Sequence, residues 1–440
     1  MIGVFRIKGN NTMDKSQNDI NTNKYLVHKV DSNSSKYGLD EPDELPKDLS
    51  ISYWDLIVLV LAIVGHVIDV CIDFNVAYQY YIYEKFTYFV LTIIFIAVPS
   101  IVNTYMSLKM LELHCYSIQE DMQRTTQKLL SNRLLLPFLL ILQMAPVLRY
   151  YDVLKYALKS RRAARKGNYD DQKNFYVLMA KEDSYVSLLR IFECFLEAVP
   201  QQILQICIVL VEKKHGSTLQ IVHQSAAIAS STIGIAWAMA SYHKNVRIAF
   251  ENRKNIGNTG TVLQFLWHIM ITVSRILSIS LAAIVWPQST GIFCMVHWLF
   301  MTFWIFKYQN VTFCIPSNRF EESRIMRFFF STILGLVYIF TYLSPSEGQG
   351  NSKNRYLGYY GVFLVENIVA VVIWANTGTD QNQWYYYHLM IGSIAPFFVG
   401  ILFMVIYYKF FHPHTTNKYN NAEPYTNTNN VNTSISDILG

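Results

Sequence analysis

Charged residues are scarce in this sequence of 440 residues: Asp, Glu, Lys and Arg make up 15% of it, whereas 52% of the residues are hydrophobic. A soluble domain usually has about a quarter of its residues charged, because it must hydrate its whole surface. The deficit, with 30 Tyr and 27 Phe residues, indicates that lipid covers much of the protein surface. The net charge of +6 is too modest to favour nucleic acid as a partner.

Several chemical signatures are missing as well. The six Cys residues include no CxxC pair, which argues against a zinc module or a disulfide scaffold. The eleven His residues show no HExxH or other metal-ligand spacing. No P-loop, GxSxG, GxGxxG or kinase motif is present, so the sequence predicts no enzyme activity, no metal site, no cofactor and no coupling to ATP.

Long apolar segments are abundant, and a segment of roughly twenty such residues is enough to cross a bilayer as a helix. The candidates are 55–82, 87–107, 134–148, 184–211, 219–241, 261–286, 291–306, 326–343, 357–375 and 387–410. They predict an all-α polytopic membrane protein, with a transmembrane domain over 51–411 and disordered polar tails at 1–50 and 412–440. No cleavable signal peptide is visible, so we expect the first span to act as the insertion signal.

Two of these segments are short. Leu134–Leu148 contains two prolines and has basic residues on both flanks, which places both of its ends in the cytoplasm and predicts a re-entrant helix. Gly291–Phe306 is interpreted as a second re-entrant element. Eight spanning helices plus two re-entrant ones leave both termini cytoplasmic; if 291–306 spans instead, there are nine spans and the C-terminus lies outside. Two halves with one short member each suggest an internal repeat.

The basic flank of the first short segment includes Arg149 and the stretch Lys155–Lys166. Such a juxtamembrane stretch can bind anionic lipids of the inner leaflet at about 1 kcal/mol per charge. An ordinary cytoplasmic loop that orients the protein is the favoured interpretation.

Acidic side chains interrupt the first apolar segment at Asp55, Asp69 and Asp73, with His66 beside them. At about 100° per residue, these three carboxylates share one face of a helix. Asp55 lies about 20 Å from Asp69 along the helix axis. The pattern therefore predicts a ladder of polar groups rather than one cluster.

The segment 184–211 repeats this pattern more densely. Arg190, Glu193 and Glu197 follow i, i+3 and i+7 spacing, and Pro200 should kink the helix. Arg275 interrupts a later segment, and so do Glu366 and its neighbour Asn367.

An unpaired ionised group at a helix centre costs about 2.5–3.5 kcal/mol, so these groups need partners or water. One interpretation is a set of buried ion pairs, in which Arg190 or Arg275 binds the acids and holds the helices together. The other is a hydrophilic track for ions or lipid head groups, which the surplus of acids over bases favours.

The N-terminal tail contains the acidic tetrapeptide Asp40–Asp43. An extended acidic string that ends in aspartate suits a protease that cuts after aspartate, although Glu44 is a poor residue to follow the cut.

The stretch Ser184–Leu210, SYVSLLRIFECFLEAVPQQILQICIVL, resembles the signature "LR…E.FLE..PQ..LQ" of the XK-related family of membrane proteins. Further segments are similar to that family in the same order: ILQMAPVLRYYDVLKYAL (Ile141–Leu158), SYHKNVRIAF (Ser241–Phe250), LQFLWHIMITVSRILS (Leu263–Ser278), HWLFMTFW (His297–Trp304) and EGQGNSKNRYLGYYGVFLVEN (Glu347–Asn367). The resemblance covers roughly residues 51–411.

The resemblance implies eight spanning and two re-entrant helices. Several family members are plasma-membrane phospholipid scramblases that expose phosphatidylserine on apoptotic cells after a caspase cuts one tail, whereas others serve as partner subunits of another membrane protein. By this resemblance, the lipid pathway is expected at Asp55, Asp69, Asp73, Arg190, Glu193, Glu197 and Arg275. A caspase site after Asp43, and a single-span chaperone subunit or a second copy of the chain as partner, are also implied.

Two rival functions stay open at this point. One is a non-scrambling partner subunit or a solute transporter, in which the embedded charges fix helix packing. The other is an ion channel.

Overall fold

The computed structural model describes residues 49–114, 125–130, 132, 134–211, 218–249, 255–308, 324–343, 352–377 and 385–412. All regular structure in these ranges is helical. The helices are α1 (Tyr53–Ile82), α2 (Phe86–His114), α3 (Thr125–Leu130), α4 (Leu136–Ile141), α5 (Ala145–Arg165), α6 (Tyr169–Glu193), α7 (Val199–Val211), α8 (Thr218–Ala249), α9 (Asn258–Val285), α10 (Pro287–Tyr308), α11 (Arg324–Val337), α12 (Ser352–Asn376) and α13 (Tyr386–Ile406).

Seven helical stretches among the described residues are long and apolar enough to cross a membrane. They are Tyr53–Ile82, Phe86–Leu111, Tyr169–Val211, Asn258–Val285, Pro287–Tyr308, Arg355–Asn376 and Tyr386–Phe411. The prediction of an all-α polytopic membrane protein is thus confirmed. The count of eight spans plus two re-entrant helices stays a prediction.

The second short element lies elsewhere than the sequence suggested. The segment 291–306 belongs to α10, which has 22 residues and the length of a full span. The short helix is α11, whose 14 residues end at Val337 and are followed by a turn at Tyr338–Phe340. The apolar run of 326–343 is therefore continuous in sequence but not in structure, because hydropathy alone does not register the break.

The first short segment, 134–148, is divided between two helices. The helix α4 has six residues, and the backbone then turns through Gln143, which adopts a φ of 53°. The helix α5 begins directly afterwards at Ala145, with Pro146 in its first turn, where a missing N–H is tolerated. This short helix and sharp break are what a re-entrant hairpin requires. The stretch Lys155–Lys166, expected as a loop, lies in and just beyond α5.

The signature segment is part of one long helical stretch, Tyr169–Val211. A π-helical turn at Cys194–Ala198 separates α6 from α7, and the N–H of Val199 donates to the carbonyl of Cys194. Pro200, which has no backbone N–H, lies two residues after the end of this turn. The helix is thus widened just before Pro200, and the kink at Pro200 stays a prediction.

The helix α9 lies at the centre of the bundle and packs against α7, α8, α10, α12 and α13. Its contact with α13 is close, because a Cβ atom at Gly400 would lie 2.9 Å from Cγ1 of Ile271. The helix α1, by contrast, packs mainly against α2 and α5. Most of its large apolar side chains are exposed, as expected for a helix on the lipid-facing surface.

Candidate functional site: two polar clusters between the helices

The first polar cluster joins α1, α6 and the break between α4 and α5. Its members are His66, Asp69, Asp73, Gln143, Arg190, Glu193 and Glu197. His66 connects the three elements, because its Nδ1 lies 3.1 Å from Oε1 of Glu193 and its Nε2 lies 3.0 Å from the carbonyl oxygen of Gln143. The imidazole therefore holds the break between α4 and α5 against both long helices.

Gln143 extends the cluster toward Glu197. Its side-chain amide donates to Oε1 of Glu197 (3.2 Å) and to the carbonyl of Ile96 in α2 (3.3 Å). Asp73 lies beside Glu197 and Gln201, so two carboxyl groups face each other here. The second oxygen of Glu197, Oε2, has no hydrogen-bond partner among the described residues.

The other side of the cluster is open. Asp69 is exposed on α1, next to the exposed apolar side chains of Ile68 and Ile72. Arg190 donates to the hydroxyl of Tyr150 (3.4 Å) and forms no ion pair among the described residues. Because acids outnumber bases and one acid reaches the surface of a lipid-facing helix, this cluster can stay hydrated within the bilayer.

The second polar cluster lies between α9, α10 and α12. Arg275 makes three contacts: its Nη2 lies 2.6 Å from Oε2 of Glu366, its Nη1 donates to Oδ1 of Asn367 (3.1 Å), and its Nε donates to the carbonyl of Ile339 (2.8 Å). Arg275 also stacks on the ring of Phe363, 4.6 Å from its centroid. Arg275 and Glu366 thus form an ion pair that is largely shielded from the protein surface.

The two clusters share one contact pattern. In the second cluster, Nδ1 of His297 lies 2.7 Å from Oε1 of Glu366, and its Nε2 lies 3.2 Å from the carbonyl of Tyr338. Tyr338 follows the short helix α11 as Gln143 follows α4. In both halves, a histidine thus joins a glutamate of a long helix to the carbonyl at the break after a short helix, which supports the predicted internal repeat.

The structure brings together five of the seven residues expected on the lipid pathway and places two elsewhere. Asp55 lies at the start of α1 in a capping box, where its carboxylate accepts from the N–H of Ser52 (2.9 Å). Arg275 belongs to the second cluster. Helical spacing aligned Asp55 with the other acids correctly, but could not show that it completes a cap.

Three polar residues that join helices are not recognisable as such in the sequence. Gln143 and His297 are single polar residues in apolar surroundings, and no spacing marks them as bridges. Arg149 was counted as part of a cytoplasmic basic flank, yet it is fully buried. Its Nη1 lies 2.7 Å from Oε2 of Glu182, and its Nη2 donates to the carbonyl of Ser107 (2.7 Å). The sequence does contain one signal of this burial: Arg149 follows Pro146 and two apolar residues and lies apart from the run of charges further on.

In the part of the chain that the structure describes, no group of three or more His, Cys, Asp and Glu side chains is arranged to hold a metal ion. The polar clusters instead offer hydrogen-bonding and charged groups along the contacts between helices.

Comparisons with known proteins address the family. The model of the XK-related protein family matches residues 57–413. Cell death abnormality protein 8 of Caenorhabditis briggsae is 26% identical over 390 residues, covering 84% of this chain and 81% of that protein. The protein of the same name from Caenorhabditis elegans is 23% identical over 385 residues, with the same shares covered. Since the family match extends over most of the sequence, this multi-pass membrane protein belongs to the XK-related family.

Proposed function

We propose that this protein is an ATP-independent phospholipid scramblase of the plasma membrane that exposes phosphatidylserine during cell death. The observation that carries the proposal is the asymmetry of the first polar cluster, which has surplus acids and reaches the exposed surface of α1 at Asp69. The relatives named cell death abnormality protein 8 support the cellular context.

The mechanism follows from the expense of moving a head group through hydrocarbon. Ionised groups at the bilayer centre cost about 2.5–3.5 kcal/mol each unless water or opposite charges accompany them. In this mechanism, Asp69, Asp73, Glu193 and Glu197 keep water along α1 and α6, and Arg190 offers a cation to the phosphate. The head group moves along this track while the acyl chains stay in the lipid.

Activation by proteolysis is the second part of the proposal. A caspase would cut after Asp43, which lies outside the described residues, in a cytoplasmic N-terminal tail. The cut would shift the balance between a closed and an open conformation, and the break at Gln143 is the element best placed to move. A single-span chaperone subunit or a second copy of the chain is the proposed partner for assembly.

The test is a reconstitution with and without the first 43 residues in vesicles that contain fluorescently labelled phospholipid. Dithionite quenches only the label in the outer leaflet, so a scramblase exposes the protected half. We expect the shortened chain to exceed the full chain in the fraction quenched. Background-level scrambling by both chains would exclude the proposal.

A non-scrambling partner subunit is the alternative, and the closed second cluster favours it. There the charges are paired and hold α9, α10 and α12 together, as structural charges should. If the first cluster had only this role, substitutions in it would change the stability of the protein and not the movement of lipid.

A further inference from the structure

The outer face of α5 carries a stripe of side chains in which the two apolar residues precede two arginines, with one lysine between the apolar residues. Its members, spaced alternately by four and three residues and therefore on one face, are Tyr151, Lys155, Leu158, Arg162 and Arg165. Tyr151 and Leu158 are 48% and 37% exposed, and Arg162 and Arg165 are exposed as well. We call these five residues the α5 stripe.

The contacts of α5 indicate how deep in the membrane the α5 stripe lies. The helix starts directly after Gln143, which contacts His66, and His66 lies about 20 Å along α1 from its first residue. At its other end, Arg165 donates to the hydroxyl of Tyr53, the first residue of α1 (2.9 Å). The α5 stripe spans about 21 Å. That length matches half of a hydrocarbon core of about 30 Å plus the head-group layer of one leaflet.

The basic end of the α5 stripe has cations without acidic partners. Arg161, Arg162, Arg165 and Lys166 form no ion pair among the described residues. Arg161 stacks on the ring of Tyr53, 3.3 Å from its centroid, and its Nη1 has no hydrogen-bond partner among the described residues.

The acids nearest in sequence to this basic end are Asp170 and Asp171, in the first turn of α6. There Asp171 accepts from the side chain of Asn168 (2.7 Å), and both residues lie in the first turn, at the positive end of the helix dipole. Asp171 is thus occupied at its own helix terminus, and Arg162 and Arg165 form no ion pair among the described residues, so these two arginines can bind an external anion.

We propose that the α5 stripe binds one anionic phospholipid of the cytoplasmic leaflet. The phosphate lies between Arg162 and Arg165 beside the Tyr53 hydroxyl, and an acyl chain lies along Leu158 and Tyr151. The two arginines lie at the end near Tyr53, and Leu158 and Tyr151 lie toward Gln143, which is the order of head group and acyl chain in that leaflet. This site lies on a different helix from the proposed lipid track and does not depend on scrambling.

The experiment uses the full chain in lipid nanodiscs and a phosphatidylserine probe with a photoreactive diazirine in its acyl chain. Irradiation and peptide mapping should place the label in residues 145–165. Replacing both arginines in R162Q/R165Q should lower the apparent affinity by about 25-fold, since each surface charge contributes about a factor of five. A phosphatidylcholine probe of the same chain length should label this peptide weakly.

The matched control is K307Q/R324Q, which removes two exposed cations elsewhere in the described chain and should leave labelling unchanged. Equal labelling of R162Q/R165Q and the parent chain, with equal melting temperatures, would overturn the proposal. Equal labelling by both lipid probes would do the same. The acidic residues within 40–48 of the N-terminal tail are the alternative ligand of the arginines in the α5 stripe. If labelling appears only after the first 43 residues are removed, the tail occupies the site and a resident lipid is excluded.

Discussion

The two polar clusters are built on the same contact and differ in charge. Each has a histidine between a glutamate and the carbonyl at the break after a short helix. The second cluster adds one arginine, which pairs with that glutamate. The first cluster adds three further acids and one arginine that forms no ion pair among the described residues.

This difference in charge separates a cluster that fixes helices to one another from one that can interact with a passing ion or head group. A buried ion pair with its hydrogen bonds satisfied fixes the helices that carry it, because losing either partner leaves a charge without compensation. A cluster with surplus charge at an exposed surface needs water or a passing ion or head group. We propose a structural role for the second cluster and a role in lipid movement for the first, and the following experiments test this proposal.

The largest effect is expected from Glu366→Gln. This change removes the acid that contacts both Arg275 and His297, and Arg275 is only 2% exposed. Leaving a buried cation unpaired typically destabilises a protein by about 3–5 kcal/mol. We expect a clear fall in the melting temperature of the purified protein, whereas Arg324→Gln, at an exposed position, should melt like the parent. An unchanged melting temperature of the Glu366 variant would contradict a structural role of the second cluster.

A smaller change in stability and a larger one in transport are expected from Asp69→Asn. Asp69 is exposed and has no hydrogen-bond partner among the described residues, so its loss should cost less than about 1 kcal/mol of folding free energy. If its charge lowers the transport barrier by about 1.4 kcal/mol, scrambling should slow about tenfold. The fluorescence assay with dithionite measures the rate. A variant that melts at a lower temperature but scrambles at the parent rate would show that Asp69 has a structural role instead.

The smallest effect is expected from Asp55→Asn, which weakens the capping box at the start of α1. Losing such a cap costs about 0.5–2 kcal/mol, and Asn retains part of the capping ability. We therefore expect a loss at the low end of that range and an unchanged scrambling rate. A slower rate would support Asp55 as part of the lipid track, as the resemblance to the XK-related family implies.

Composition and hydropathy predicted the helical class and most of the spans, because these depend on residues that are neighbours in sequence. The shared face of Asp69 and Asp73, and that of Glu193 and Glu197, also followed from helical spacing. The partner of each charge did not, since it depends on which helices meet. Arg275 could equally have met Asp69 or Glu193, and only the packing of α9 against α12 gives it Glu366.

Breaks in helices were the other feature that local sequence could not place. The sequence is continuously apolar across the turn after Val337 and across the π-helical turn before Pro200, so hydropathy does not reveal either break. The position of Gln143 at a φ of 53° is likewise invisible in sequence, because glutamine has no preference for that conformation. The candidate site depends on such a break, so its centre, His66 between Gln143 and Glu193, emerged only from the structure.

The most direct test compares His66→Gln with His297→Gln in the chain that starts at Glu44. Both changes remove the same two contacts, one in each cluster. Scrambling per folded molecule is measured with dithionite, and folding by the melting temperature. We expect His66→Gln to slow scrambling severalfold, whereas His297→Gln should lower only the melting temperature. Equal losses of scrambling in the two variants, or no scrambling by the parent chain, would contradict this expectation.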